Sequence, residues 1–294
     1  MKFSVIVNPN AGRQQREDSM EAVKEILAGS GARVELIETH SAREGREAVG
    51  AAVKDAADCL VCCGGDGTLS DTINWMLDAN GSLPLGYIPA GTTNDFAASL
   101  GLSKDPAEAA RQILSSPARP LDLGFLGERS FIYTASFGAF AEASYSADPN
   151  LKHALGHLAY VIEGVKELPT IRPHRVRVET AEGQVFEDEF IFGSVTNSLS
   201  LGGVLRLDPA QVDLADGRFE LLLVRNPRTL NDFNRMIFSL VSGRYDEGEI
   251  LFTHTAGARF TFDEPMDWSL DGEYASGTEQ AEFRAAYRAL KLHY

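Results

Sequence analysis

Strand-like and helix-like hydrophobic patterns alternate along residues 1–122, and this alternation narrows the fold more than any other property of the chain. Lys2–Asn8 (KFSVIVN) is a short β-rich run, and past the loop PNAG the segment Arg16–Ala28 places Met20, Val23, Ile26 and Leu27 at helical spacing. Ala32–Thr39 reads as a strand, Ala42–Ala56 as a helix, Cys59–Cys63 as a strand, Thr68–Leu77 as a helix and Leu85–Pro89 as a strand. Helices follow at Asp95–Leu100 and Pro106–Leu114. Short apolar strands separated by helices of this length require βαβ crossovers, hence a doubly wound, mainly parallel α/β sheet.

After Leu121 the pattern changes. Ser130–Phe137, Arg175–Thr180, Gln184–Ser194, Phe219–Val224, Leu251–Phe262 and Met266–Leu270 are β-rich runs separated by turns such as Ala181-Glu182-Gly183 and Asp216-Gly217. Only Leu151–Leu168 and Thr229–Val241 read as helices among them. Many strands in series predict a mainly antiparallel β-sandwich. The expected division is a first domain over 1–124 and a second over 125–283, with a segment at about 284–294 packing back on the first. No repeat, low-complexity tract or Pro-rich linker separates them, so a cleft between two closely associated domains is the expected place for a site.

The charge balance removes one class of partner. Of 294 residues, 27 are Lys or Arg and 42 are Asp or Glu, giving −15, and neither half is basic. A nucleic-acid binder normally shows a strongly basic face, so nucleic acid is not expected as a partner. No apolar run approaches the roughly 20 residues of a membrane helix. The start, MKFSVIVNPNAG, does not resemble a signal peptide, and a cytoplasmic location is expected. Cys59, Cys62 and Cys63 share one apolar strand whose neighbouring side chains point to opposite faces, which favours buried thiols over a zinc site.

Gly64-Gly65-Asp66-Gly67-Thr68 lies directly after the strand Cys59–Cys63 and before a helix. Glycines there permit unusual dihedrals and close approach of a ligand, and the helix N-terminus that follows favours phosphate. Asp66 suits such a place if Mg²⁺ or a water lies between it and the phosphate. The loop is neither a Walker A nor a G-x-G-x-x-G motif. Pro89-Ala90-Gly91-Thr92-Thr93-Asn94-Asp95-Phe96 repeats the design after Leu85–Pro89, and Asn8-Pro9-Asn10-Ala11-Gly12 follows the first strand. Three loops at the C-terminal ends of strands occupy the ligand-binding edge of a doubly wound sheet.

With NPNAG (8–12), GGDGT (64–68), PAGTTNDFA (89–97), LDLG (121–124), DLADGRFE (213–220) and LDGE (270–273) in this order, the chain resembles the diacylglycerol kinase catalytic family, which includes bacterial lipid kinases, sphingosine kinases and ceramide kinase. The resemblance implies an ATP-dependent lipid kinase that phosphorylates a hydroxyl of diacylglycerol or a related lipid, in phospholipid biosynthesis. It implies ATP at the interdomain cleft, held by Asn8, Asn10, Gly12, Thr39, Gly64, Gly65, Asp66, Gly67, Thr68, Gly91, Thr92 and Asn94, with Glu273 beside the nucleotide. Asp66, Asp95 and Asp122 correspond to acids that hold a catalytic Mg²⁺ through water, and Asp271 to the general base. Asp216, with the main-chain carbonyls of Asp213 and Arg218, corresponds to a second, structural Mg²⁺ site. The implied partner is a lipid substrate at the membrane surface, met by peripheral association, and a homodimer is left open. Two alternatives keep the same phosphate loops: a kinase of a soluble hydroxyl, as in the NAD kinases, and a catalytically silent nucleotide- or lipid-binding regulator.

Other features have plainer readings. His153 and His157 lack the Glu of a H-E-x-x-H zinc motif and read as surface or interfacial residues. Arg175 and Arg177 share one strand face, either solvated or facing an anionic headgroup. Leu151–Leu168 and Phe137–Tyr145 are either core or the lining of a lipid pocket. Asp213, Asp216 and Glu220 read equally as a plain acidic turn.

Overall fold

Strands that are apolar at almost every position belong to sheets covered on both faces. A computed structural model describes residues 1–9, 16–91, 94–139, 172–201, 205–243, 245 and 248–294. The chain divides into two compact units, Met1–Leu121 with Arg288–Tyr294, and Asp122–Tyr287. In the first, β1 (Lys2–Val7), β2 (Arg33–Glu38), β3 (Cys59–Gly64) and β4 (Leu85–Pro89) are parallel in the order β2-β1-β3-β4. The helices are α1 (Arg16–Gly29), α2 (Ala42–Lys54), α3 (Asp66–Asp78), α4 (Asp95–Ser99) and α5 (Pro106–Ser115). Local chemistry starts two of them: the Ser41 side chain accepts from Glu44 N–H ahead of α2, and Asp105 accepts from Glu108 N–H ahead of α5, with Pro106 at its first position.

The two faces of this sheet are filled differently. Phe3, Val5, Val61 and Ile88 pack with Val23 and Leu27 of α1 and Ile113 of α5. α2 and α3 pack against each other, and Gly45 leaves room for the Trp75 ring where any Cβ would collide with it. Along β3, Cys59 and Cys63 belong to the first layer, while the Cys62 thiol meets Thr72 of α3. Burial pushes the Cys59 thiol up to about 12 and raises that of Cys62 as well. All three cysteines are buried and unpaired by disulfides.

The second unit is antiparallel. It contains most of β5 (Ala118–Leu126), then β6 (Arg129–Phe131), β7 (Thr134–Gly138), β8 (His174–Thr180), β9 (Val185–Thr196), β10 (Ser200–Leu201), β11 (Leu205–Arg206), β12 (Phe219–Arg225), α6 (Leu230–Ser242), β13 (Ile250–Thr255), β14 (Gly257–Phe262), β15 (Trp268–Leu270), β16 (Glu273–Ala275) and most of β17 (Gln280–His293). Neighbours run β16-β15-β7-β9-β8-β14-β17, with β12 joining β9 to β13. Aromatic rings fill the interior: Phe137 meets Trp268 at 5.0 Å and Phe262 at 5.1 Å, both edge to face. α6 begins with a capping box between Thr229 and Asp232 and lays Met236, Phe233, Ile237 and Leu240 over Ile191, Leu222, Val224 and Ile250. The last residues of β17 belong to the first unit, where Leu292 pairs in parallel with Leu85 of β4.

A parallel α/β unit followed by an antiparallel sandwich is the expected fold class. Its details differ in several places, and β5, β16 and β17 are strands where the sequence reading has none. The run Ser130–Phe137 is two strands, interrupted at Ile132 and Tyr133, whose N–H groups turn to a side chain described below. Leu251–Phe262 is also two strands, because β13 pairs with β12 while β14 pairs with β8 and β17. α3 starts at Asp66, two residues ahead of Thr68. Arg175 and Arg177 form a solvated ion-paired face with Glu187 and Glu179. The expected helix Leu151–Leu168 with His153 and His157, the part of Phe137–Tyr145 beyond residue 139, and Asn10, Gly12, Thr92 and Thr93 lie outside the described residues.

Candidate active site

In the first unit the glycine loops abut. Ala90 N–H donates to Gly64 O at 2.7 Å, and a Cβ on Gly91 would come within 2.7 Å of Gly65 Cα. Neither Gly65 nor Gly91 has a positive φ. The glycines therefore serve close approach of one loop to the other, not the unusual dihedrals expected of them. Gly64 is equally constrained, since any Cβ there would meet the Thr68 side chain at 2.6 Å. Thr68 Oγ1 accepts from Asn8 Nδ2 at 3.0 Å, and Asn8 N–H donates to Cys63 O, so the loop after β1 is tied to the end of β3 and the loop that follows it. Thr39 bonds through its N–H and its hydroxyl to Val7 O. Gly67 lies inside α3.

Asp66 occupies the junction. Its Oδ1 accepts from the Tyr87 hydroxyl at 3.1 Å and its Oδ2 from Asp95 N–H at 2.9 Å, at the start of α4. Asn94, buried at φ 53°, closes the second loop: Oδ1 accepts from Gly91 N–H and Nδ2 donates to Gly91 O. Asp66 and Asp95 are thus brought together. Tyr87, the residue that aims Asp66, is absent from the sequence-based set, yet a tyrosine inside the apolar strand LGYIP needs a hydroxyl partner and signals one. α3 itself opens at Gly65 with no side-chain cap, leaving first-turn N–H groups suited to an anion.

In the second unit Asp122 is fully buried, and its Oδ2 accepts from Gly217 N–H at 2.5 Å. It is thereby joined to the 213–218 turn, where Asp213 accepts from Ala215 N–H and Asp216 from Arg218 N–H. Beneath that turn lies Glu220, with Oε2 buried and without a partner among the described residues. Burial pushes its carboxyl up to about 8, against its own backbone N–H, and the charges of Asp216 and Asp213 push the same way.

Asp271 is elsewhere in this unit. Asp271 (φ 51°) and Gly272 (φ 89°) form the two-residue turn joining β15 to β16, with Leu270 opposite Glu273. The carboxylate does not project freely from the turn. It is buried, with Oδ2 accepting from Ile132 N–H at 2.7 Å and Oδ1 from Tyr133 and Thr134 N–H at 3.0 and 3.1 Å. The first two of these donors, Ile132 and Tyr133, are the residues at the break between β6 and β7. Glu273 is exposed. Asn197, a second residue without a sequence signal, donates its N–H to Tyr133 O and its Nδ2 to Leu214 O, the carbonyl that also accepts from Asp122 N–H. One buried amide thus links the segment holding Asp271 to the turn holding Asp122.

A divalent cation has a chemical fit in the second unit. Among the described residues no three His, Cys, Asp or Glu side chains are gathered to hold a metal unaided. The 213–218 turn instead offers carboxylates and main-chain carbonyls over an orphaned carboxyl oxygen. That is an oxygen-only set suited to a hard ion.

Residues 2–126 match the family model described as "Diacylglycerol kinase catalytic domain", and residues 134–293 match "YegS C-terminal NAD kinase beta sandwich-like domain". The diacylglycerol kinase of Bacillus subtilis (strain 168) is 32% identical over 290 residues, covering 98% of this chain and 94% of the relative. That of Staphylococcus carnosus (strain TM300) is 27% identical, over 98% and 92%. A crystal structure of a diacylglycerol kinase from Bacillus anthracis str. Sterne superposes with a TM-score of 0.77 at 22% identity, over 100% of this chain and 96% of that one, and this likeness speaks for the fold alone. From these matches, which run the length of both units, the chain belongs to the diacylglycerol kinase catalytic family.

Proposed function

We propose that this chain transfers the γ-phosphoryl group of ATP to a hydroxyl of diacylglycerol or a related lipid. The observation that carries the reading, beyond family membership, is the fixed Asp66 carboxylate at the junction of two glycine loops beside an uncapped helix N-terminus. ATP with Mg²⁺, when bound, supplies the phosphoryl group and neutralises charge during its transfer. The chain's own part is alignment. Asn8, Gly64, Gly65, Gly67, Thr68, Gly91 and Asn94, with Asn10, Gly12 and Thr92 of the same loops, surround the phosphates, Thr39 and Glu273 the remainder of the nucleotide. Asp66, Asp95 and Asp122 hold the catalytic cation, and Asp216 with the carbonyls of Asp213 and Arg218 holds the structural one. Asp271 takes the proton of the lipid hydroxyl on its carboxylate, which its three backbone donors orient.

The test uses purified protein, ATP, Mg²⁺, a short-chain diacylglycerol and, separately, soluble hydroxyl acceptors. Asp271→Asn should lower transfer by about a hundredfold or more. It should also lower stability by about 1–3 kcal/mol, because whichever way the amide lies, its NH₂ faces a backbone N–H. Residual transfer near the parent's level would remove Asp271 as the base, and transfer to a soluble acceptor alone would remove the lipid.

A further inference from the structure

The outer face of α6 has a composition that the rest of this acidic chain does not lead one to expect. At about 100° per residue, the exposed positions Leu230, Asn231, Asn234, Arg235, Phe238 and Ser242 fall on one arc. Leu230 is 83% exposed and Phe238 67%. Among the described residues the other exposed large hydrophobics are scattered: Met1 precedes β1, and Leu114, Val185, Tyr274 and Tyr287 each stand on a different element. The arc carries no carboxylate, in a chain with 42 acids against 27 basic residues.

Charges at its edge are sorted by height. Arg228, 70% exposed, pairs with Asp188 at 34% and Glu189 at 48%, and Arg235, 59% exposed, pairs with Asp232 at 21% and Glu249 at 12%. In each of these pairs the arginine is the more exposed partner, so its guanidinium group is the more open of the two to an approaching surface. The inner face of α6 is already occupied by the core, and its Met236, Phe233, Ile237 and Leu240 cannot turn outward.

We propose that this arc is the surface by which the protein docks on an anionic lipid bilayer, with Leu230 and Phe238 entering the interface and Arg228 and Arg235 meeting lipid phosphates. This rests on the lipid-kinase reading, which requires the protein to reach a substrate held in a membrane. Two apolar side chains flanked by outward arginines suit reversible interfacial binding. A protein with a net charge of −15 cannot be drawn to an anionic surface by its overall field, so such a local arrangement is what it requires.

The test measures sedimentation of the full chain with phosphatidylethanolamine–phosphatidylglycerol vesicles and with phosphatidylcholine vesicles, without nucleotide or diacylglycerol. Leu230→Ser combined with Phe238→Ser should lower binding by about tenfold. Arg228→Gln should weaken binding to the anionic vesicles alone. Phe238→Trp should shift its emission to the blue on adding vesicles, over a constant background from the buried Trp75 and Trp268. The double variant should phosphorylate a short-chain diacylglycerol in detergent at the parent rate. Equal vesicle binding by parent and double variant overturns the docking face. So does a double variant that only converts a parent dimer to a monomer, since the arc then serves a second copy. A parent that binds through the arc but phosphorylates no lipid sinks the kinase reading and leaves the docking face standing.

Discussion

At the scale of single residues, the side chains that position the candidate site are as informative as those proposed to act. Tyr87 donates to Asp66 Oδ1 and lies 3.4 Å from Asn94 Oδ1, so one hydroxyl touches both glycine loops. Tyr87→Phe keeps the ring and removes that bond. The expected cost in stability is about 1 kcal/mol, since the lost partner of Asp66 is a single hydrogen bond. The expected fall in kcat is about tenfold with little change in thermal midpoint, because Asp66 loses its aim and not its charge. An unchanged kcat would show that Tyr87 does not orient Asp66. Acids such as Asp66 and Asp271 are legible in the sequence because they sit in glycine-rich motifs. Tyr87 and Asn197 are not, because they look like ordinary occupants of a strand and a strand end, and their roles arise only from the partners that folding supplies.

Elements were legible in proportion to how local their causes are. The four parallel strands of the first unit and the helices between them follow from runs of apolar residues and their spacing, and their observed limits lie within a few residues of the expected ones. The break between β6 and β7 follows from nothing local: Ile132 and Tyr133 are buried and apolar, and it is a carboxylate 138 and 139 residues away that draws their amides out of the ladder. β17 (QAEFRAAYRALKLH) is rich in residues that favour helix, and it is held as a strand by β14 and β4. The abutting loops give a prediction at this scale. Gly91→Ala would push a methyl onto Gly65 Cα and Asn94 Oδ1, both at 2.7 Å, and should destabilise the first unit by about 1–3 kcal/mol. Chemical denaturation should show it, and a midpoint equal to the parent's would mean that the loops separate without cost.

For the molecule as a whole, the apolar strand β3 keeps all three thiols inside. Cys59, Cys62 and Cys63 should ignore a thiol reagent at pH 8 in the native protein, and three thiols should react once it unfolds. The Cys59 thiol is raised from 9.0 to about 12, so its burial favours the folded state below about pH 9 and opposes it as pH climbs towards 12. The denaturation midpoint should therefore fall over that range, and rapid thiol labelling at pH 8 without denaturant would contradict the buried layer. The discontinuous first unit has a further consequence, for synthesis. Leu85 is translated 207 residues before its partner Leu292, an interval of about 10–40 s at typical ribosome speeds. Throughout that interval the nascent chain presents the far edge of an apolar parallel sheet without the strand that later borders it, and such edges invite association with other chains. The edge left open through that interval belongs to the very strand whose following loop carries Gly91 and Asn94.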